Sequence, residues 1–362
     1  IGAGVAASAY FKKTAPKTKR RPPAVMAPLV ETMTIEDSSY AVTITAMGVV
    51  VPAQEMTLKA RVGGQVVDMH PEFTVGGLLK EGQKLLQVDD SDYRLAVAQA
   101  ESAVVDSDYA LSLEKGRQAV ARREWSLLNG KATGADADLA LRKPHLRKAE
   151  ADLAASRSAL EMARLNLLRT SVKAPFNAMV RSRKVAHGSQ VGSQEALADL
   201  VGTDRFWVEV SVPVDRLDWL RIPRLTDDTG AMATIHYAQK HRRQGQVVRL
   251  RGDLTTEGRM ARVLVAVEDP LGLKRADKER PPLLIGEFVR VEIEGRRLEE
   301  VFTLPRSAVH DGDTIWLANA DSTLSIRAIR PIWRDADTVV VDGGLTAGER
   351  LVTSALPSPV EG

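Results

Sequence analysis

The sequence predicts a mostly β, elongated, multi-domain chain with an α-helical coiled-coil hairpin inserted into it. Three observations carry that expectation. Leu139, Leu146, Leu153, Leu160 and Leu167 stand seven residues apart, and Arg142, Ala149, Ser156, Ala163 and Thr170 each follow three residues later. A 3-4 alternation lays both rows on one stripe of a helix, and such a stripe needs a partner helix. Similar Gly- and Val-rich segments stand before and after that helical region. From Arg205 onward the chain reads as short alternating strands.

The elements follow in order. Residues 1–11 are small and apolar, and Lys12, Lys13, Lys17, Lys19, Arg20, Arg21 and Pro22-Pro23 come next. Eleven residues are too few to span a bilayer, which needs about 20. We therefore expect 1–23 to be the remnant of an N-terminal anchor or signal segment and its linker. Residues 24–54 read as extended, with the β-branched run around Val42, Thr43, Ile44 and Thr45. Short apolar strands punctuated by Gly63-Gly64, Gly76-Gly77 and Gly82 fill 55–90.

Helix is expected from near Ser91, with Asp90 or Ser91 as its cap. Its own seam runs through Val97, Val104, Leu111, Gln118 and Trp125, with Ala100, Ser107, Glu114, Ala121 and Leu128 three residues on. Glu114 and Gln118 should weaken that seam, and Gly116 softens it. Residues 129–134 have turn composition. A second helix should cover about 136–169, with Pro144 kinking or restarting it. Two such arms, roughly 45–57 Å long, must lie antiparallel, giving a hairpin over 91–169.

Strands resume over 170–203. A shift of 112 pairs Gly76 with Gly188, Leu79 with Val191, Leu85 with Leu197 and Val88 with Leu200, while Gly82 meets Gln194. The expectation is one small sandwich of two similar halves, 55–90 and 170–203, split by the hairpin. Residues 204–296 suggest a small barrel with a short helix near 214–220 and a charged loop at 274–282. The last strands, 297–356, should pair with 24–54.

Composition narrows the function. Hydrophobic residues make up 44%, which excludes global disorder, and aromatics only 4%, which suits small β-modules. A net charge of +3 gives no case for nucleic acid. With no cysteine, disulfides, thiolate metal sites and cysteine nucleophiles are excluded. The six His residues (His70, His145, His187, His236, His241, His310) are scattered without metal-ligand spacing. Met26 and Met33 alone do not make a copper site. Nucleotide loops, nucleophile elbows and paired catalytic carboxylates are also missing, so we expect no catalytic residue, no cofactor and no metal.

Several stretches carry a resemblance: Ala60-Arg61-Val62-Gly63-Gly64-Gln65-Val66, then Leu167 to Phe176, Leu304-Pro305-Arg306-Ser307-Ala308-Val309, and Gly343 to Glu349. Over about 49–352 the chain resembles the periplasmic adaptors of tripartite efflux pumps, the HlyD-type membrane fusion proteins, and most of all those of RND pumps. Ala178 stands where the family usually has Gly. The resemblance implies a hairpin (91–169), a lipoyl-like domain (55–90 with 170–203), a β-barrel (204–296) and a membrane-proximal domain (24–54 with 297–356). It further implies a non-catalytic adaptor in the periplasm of a Gram-negative bacterium, held to the inner membrane through its N-terminus. Its implied partners are an inner-membrane RND transporter, an outer-membrane channel and further copies of itself in a ring, a hexamer by family resemblance.

At the hairpin tip such adaptors show Arg, Leu four later and Ser seven after that. Arg123 and Leu127 match, whereas Gly134 takes the third place with Thr133 beside it. The implied role is docking on the outer-membrane duct: guanidinium and hydroxyl for hydrogen bonds, leucine for apolar contact. Two other readings remain open at this point. One is an adaptor of an ABC-type exporter; the other is a lipoyl or biotinyl carrier domain, whose cofactor-bearing turn would have to sit where the hairpin is inserted.

Overall fold

The computed structural model describes residues 2–14, 29–127, 134–224, 228–254, 258–273, 280–356 and 359–361. Helix α1 (Gly2–Thr14) precedes β1 (Thr32–Thr34) and β2 (Asp37–Pro52). Next come β3 (Glu55–Lys59), β4 (Gly64–Met69), β5 (Leu78–Leu79) and β6 (Lys84–Val88). The helical region holds α2 (Ser91–Leu127), α3 (Ala135–Ala140) and α4 (Lys143–Arg169). It is followed by β7 (Ser171–Lys173), β8 (Ala178–Arg183), β9 (Gln190–Val191) and β10 (Ala196–Gly202). Then β11 (Arg205–Val212), β12 (Met232–Tyr237), β13 (His241–Leu254), β14 (Ala261–Glu268) and β15 (Phe288–Pro305) follow. The chain closes with β16 (Val309–His310), β17 (Thr314–Ala318), β18 (Leu324–Ala328), β19 (Pro331–Arg334), β20 (Thr338–Val341) and β21 (Arg350–Val352). It divides into two compact units, one made of Ile1–Val42 with Arg296–Gly362 and the other of Thr43–Gly295. No helix among the described residues is long and apolar enough to cross a membrane.

In the larger unit, two four-stranded sheets form the sandwich, in the orders β3-β10-β8-β5 and β7-β6-β4-β9. Each sheet borrows from the other half: β5 pairs with β8, and β9 pairs with β4. The halves are therefore interlocked. Leu85 and Leu197 share a core with Phe73, Val66, Val180 and Leu200, all at most 1% exposed.

The backbone repeats more closely than the residues do. Gly76 donates to the Val180 carbonyl (2.9 Å) and Val180 donates to Gly77 (3.1 Å). The mirror pair is Gly188 to Val66 (2.8 Å) and Val66 to Ser189 (2.9 Å). Likewise Gly82 donates to Ala174 (2.8 Å), as Gln194 does to Ala60 (2.8 Å). Gly82 and Gln194, the mismatch in the sequence alignment, adopt the same left-handed backbone, φ 76° and 70°. The turn is kept although the glycine is not, at a cost of roughly 1–2 kcal/mol for the side-chain-bearing residue. Ala60/Ala174 and Val66/Val180 are related by 114 rather than 112, because 67–75 is two residues longer than 181–187.

The barrel strands run β2-β11-β14-β13-β12-β15. Val50 closes the circuit by donating to Glu287 (3.0 Å) and accepting from Gly286 (2.8 Å). Strict alternation on β11 sends Phe206, Val208, Val210 and Val212 inward. In the smaller unit β1 pairs with β21, so that Thr32, Met33 and Thr34 face Val352, Leu351 and Arg350. Its core joins Ile35 to Leu304, Ile315, Leu317, Val341 and Leu351.

Candidate functional site

The helical pair leaves the sandwich at a fixed point. The Asp89 carboxylate accepts the Ser91 amide (3.0 Å) and hydroxyl (2.7 Å), bonds that hold its pKa below the usual carboxylate range. Asp90 holds the cap place the sequence offered, its carbonyl accepting the Arg94 amide (2.9 Å), and the Asp89 side chain adds a turn onto Ser91 ahead of it. Tyr93 donates to the Gly63 carbonyl (2.7 Å), bracing the foot of α2 on β4's leading turn. On the return, buried Thr170 accepts from Gln87 Nε2 (2.9 Å) and donates to Leu167 (2.7 Å). Both feet of the pair are tied to one sheet.

The helices are antiparallel: Glu101 meets Arg164 (2.9 Å), Ser107 meets Ser156 (2.7 Å) and Glu114 meets Arg142. Heptad spacing locates their meeting faces. On α2, Val97, Ala100, Val104, Ser107, Leu111, Glu114, Gln118, Ala121 and Trp125 are buried or half-buried, as are Leu146, Leu153, Leu160 and Leu167 on α4. Leu139, on α3, is 57% exposed and lies outside that stripe.

The polar seam positions are not simple defects. Arg142 Nε and Nη2 clamp the two Glu114 carboxylate oxygens at 2.6 and 2.8 Å. Glu114 is only 7% exposed. The hydrogen bonds from Arg142 lower its pKa, outweighing the opposing effect of burial. Arg142 sits between α3 and α4 with a left-handed backbone (φ 54°), and Pro144 begins α4 in its first turn. Proline thus restarts the helix, and the ion pair pins the restart to α2. Both residues were visible in the heptad rows; their pairing was not.

A consequence can be measured. A carboxylate with a lowered folded-state pKa contributes stability above its unfolded pKa and loses it as pH falls through the folded value. Helical unfolding followed at 222 nm should show the wild type losing several degrees of midpoint on acidification. Glu114→Gln, which strands Arg142, should start several degrees lower at neutral pH and change less with acid. An acid response as steep in Glu114→Gln as in the wild type would refute this role.

The tip stands beyond that pin. Arg123 and Leu127 are one turn apart on the outer side of α2, and Leu127 is 83% exposed. The Arg123 guanidinium has no hydrogen-bond or ionic partner among the described residues. Gly134 precedes α3 with φ 75° and ψ −140°, a region open essentially to glycine alone. A serine would be strained there, which accounts physically for the departure at this position. Thr133, with the rest of 128–133, lies outside the described residues. Arg123 and Leu127 are brought together on one face; Gly134 is across the turn. Among the described residues no group of His, Asp and Glu could hold a metal ion.

Comparison with known proteins shows what the chain is similar to. Residues 300–357 match the family model for RND MFPs, C-terminal permuted SH3 domain. Multidrug resistance protein MdtA of Yersinia pseudotuberculosis serotype I is 25% identical, over 99% of this chain and 79% of that protein. The chain is similar to a multidrug-resistance adaptor along nearly its whole length. MdtA of Yersinia enterocolitica serotype O:8 is 24% identical over 92% of this chain and 74% of its own length. In fold the chain resembles MacA from Actinobacillus actinomycetemcomitans, with TM-score 0.59 and 18% identity over 91% of this chain and all of that one. A MacA-MexA chimera carrying the Pseudomonas aeruginosa MexA α-hairpin gives 0.57 at 18% identity, covering 88% of this chain and 99% of the chimera. Membrane fusion adaptors of efflux pumps are not enzymes, and neither is this chain.

Proposed function

We propose that this adaptor bridges an inner-membrane RND transporter to an outer-membrane channel and serves export of small molecules. The match of 300–357 to the C-terminal domain of RND adaptors is the observation that carries the transporter class. The exposed Arg123 and Leu127 support channel docking through the tip, where Thr133 and Gly134 complete the proposed partner-binding residues. In this reading 55–90 with 170–203 form the lipoyl-like module and 91–169 the coiled-coil hairpin. Residues 204–296 form the barrel, joined by 43–52, which the sequence assigns to the membrane-proximal module but whose stretch 48–52 pairs with β11. That module keeps the chain before Thr43 with 297–356. Several copies, six by family resemblance, stand in a ring in the periplasm. The N-terminal segment 1–23 attaches it to the inner membrane, its basic cluster meeting anionic headgroups. Energy for transport comes from the partner.

The cysteine-free chain makes a clean test possible. Leu127→Cys, carrying a photoactivatable maleimide and expressed in its native host, should cross-link to an outer-membrane channel. A tagged chain should co-purify with an RND transporter. Recovery of an ABC-type transporter would overturn the transporter assignment, and cross-linking only to inner-membrane proteins would overturn the tip assignment.

A further inference from the structure

Both arms of the helical pair are weak at one level, part-way along their length. On the returning arm the hydrogen-bond ladder is cut. Leu141 donates to Ala137 (2.9 Å), Arg142 to Leu139 (3.0 Å) and Leu146 to Arg142 (3.0 Å). Among the described residues no backbone hydrogen bond runs from 143–145 back to 139–141, and Pro144 has no N–H to give. Helices α3 and α4 are thus joined through Arg142 alone, a single residue at φ 54°.

On the outgoing arm Gly116 stands two residues past Glu114, the partner of Arg142, and so at nearly the same height. Helix α2 runs unbroken through it. A Cβ on Gly116 would meet nothing within 4 Å, so no neighbour demands a glycine there. Its effect is to loosen the helix, by about 0.5–1 kcal/mol relative to alanine.

The seam changes at this level too. Towards the sandwich, Leu111, Leu153 and Leu160 are 7%, 5% and 9% exposed. Beyond Glu114, α2 buries Gln118 alone and α3 buries no residue; Ala121 and Trp125 are half-buried. Little apolar surface holds the outer ends of the arms together, which is the condition for a segment to move as a separate unit.

Side chains bridge the weak level. Arg142 clamps both Glu114 oxygens, and Arg117 stands 3.8 Å from the same carboxylate. Lys143 reaches Asp138 across the break at 2.7 Å, but both are about half exposed, so that pair holds little. Glu114 with Arg142 is the shielded pair, and losing one partner there is costly.

We propose that the part of α2 beyond Gly116 bends together with α3 about the level of Gly116 and Arg142, and that the Glu114–Arg142 pair is the latch on this hinge. Arg123 and Leu127 ride on the moving part, so the latch sets the direction in which they are presented. That consequence rests on the tip reading given above; the hinge does not.

Double electron–electron resonance on the purified, cysteine-free chain tests it. Nitroxides on Val105→Cys and Glu124→Cys straddle the hinge, about 28 Å apart along α2. Those on Leu95→Cys and Ser112→Cys, about 26 Å apart, lie wholly on the sandwich side. All four positions are exposed. Both pairs should give narrow distance distributions in the wild type. Glu114→Gln should widen the straddling distribution about twofold and leave the other unchanged. Arg142→Gly, which removes the clamp but keeps the left-handed turn unstrained, should do the same. Adding Gly116→Ala to Glu114→Gln should narrow the distribution again, since alanine stiffens the helix and fits the open space. A straddling distribution that stays narrow in both latch variants would overturn the hinge. Equal widening of both label pairs would overturn it as well, because the whole arm would then be loosening. Widening undiminished by Gly116→Ala would overturn the pivot placed at that glycine. Failure of Leu127→Cys to cross-link a channel bears on docking alone, since the distances are read on the isolated chain.

Discussion

Arg123→Asp and Leu127→Asp are each expected to reduce export to the level of a strain lacking the adaptor, while the protein accumulates normally. Leu127 is 83% exposed and adds nothing to the seam, which Trp125 and Ala121 serve on the opposite side. Replacing it should change stability by no more than about 0.5 kcal/mol. Docked on a partner, the same leucine would be buried, and a carboxylate there would have to be desolvated without a counter-charge. Arg123→Asp reverses a charge that has no partner among the described residues, so a loss of export with normal folding points to what the guanidinium meets on another protein. Substrate accumulation in cells, with antibody detection of the adaptor, checks both variants. Leu127→Ala, which loses apolar area without adding charge, should fall between wild type and Leu127→Asp. Normal drug tolerance in both Asp variants would remove the tip from the docking surface.

A large effect on stability is expected from Gly77→Ala. A Cβ there would lie 2.0 Å from the Glu72 carbonyl oxygen and 3.0 Å from that of Thr74. The backbone cannot retreat: the Gly77 amide donates to Thr74 (2.9 Å) and its carbonyl accepts from Val180 (3.1 Å). Relief requires breaking the link by which one half of the sandwich holds the other, at a cost of about 3 kcal/mol. Gly76→Ala is the control. Its φ is 81° but its Cβ would meet open space, so about 1 kcal/mol is expected. Urea unfolding monitored by intrinsic tryptophan fluorescence would rank the two, and a reversed order would refute the steric account. The repeat makes the point sharper: the position equivalent to Gly77 is Ser189, whose hydroxyl accepts the Ala186 amide (3.0 Å). The shorter loop 181–187 leaves room for that side chain; the longer 67–75 loop lays Glu72 over the glycine instead.

Most of the architecture was legible because it is written in local periods. Seven-residue spacing of leucines marks a helix face, two-residue alternation on Phe206, Val208 and Val210 marks a strand face, and neither needs the partner to be known. The interlocked sandwich was legible only in part. A single shift of 112 recovers Gly76/Gly188 and Leu85/Leu197 but not Ala60/Ala174, since two extra residues in one loop change the offset. The tip was read from a three-residue pattern, and its third member, Gly134, takes a backbone conformation open essentially to glycine.

The sequence by itself determined which faces of the two long helices turn inward, Leu139 excepted, and that the helices interrupt a repeated β-motif. Periodicity and composition are properties of neighbours along the chain, so they survive without a fold. Only the tertiary structure decided that Glu114 belongs to Arg142, that Gln194 keeps the turn of Gly82, and that Gly77 has no room for a methyl group. Each of these depends on register between segments distant in sequence. That register is set where both helices are tied to the sandwich, at Asp89 and Thr170, and where the second helix restarts at Arg142.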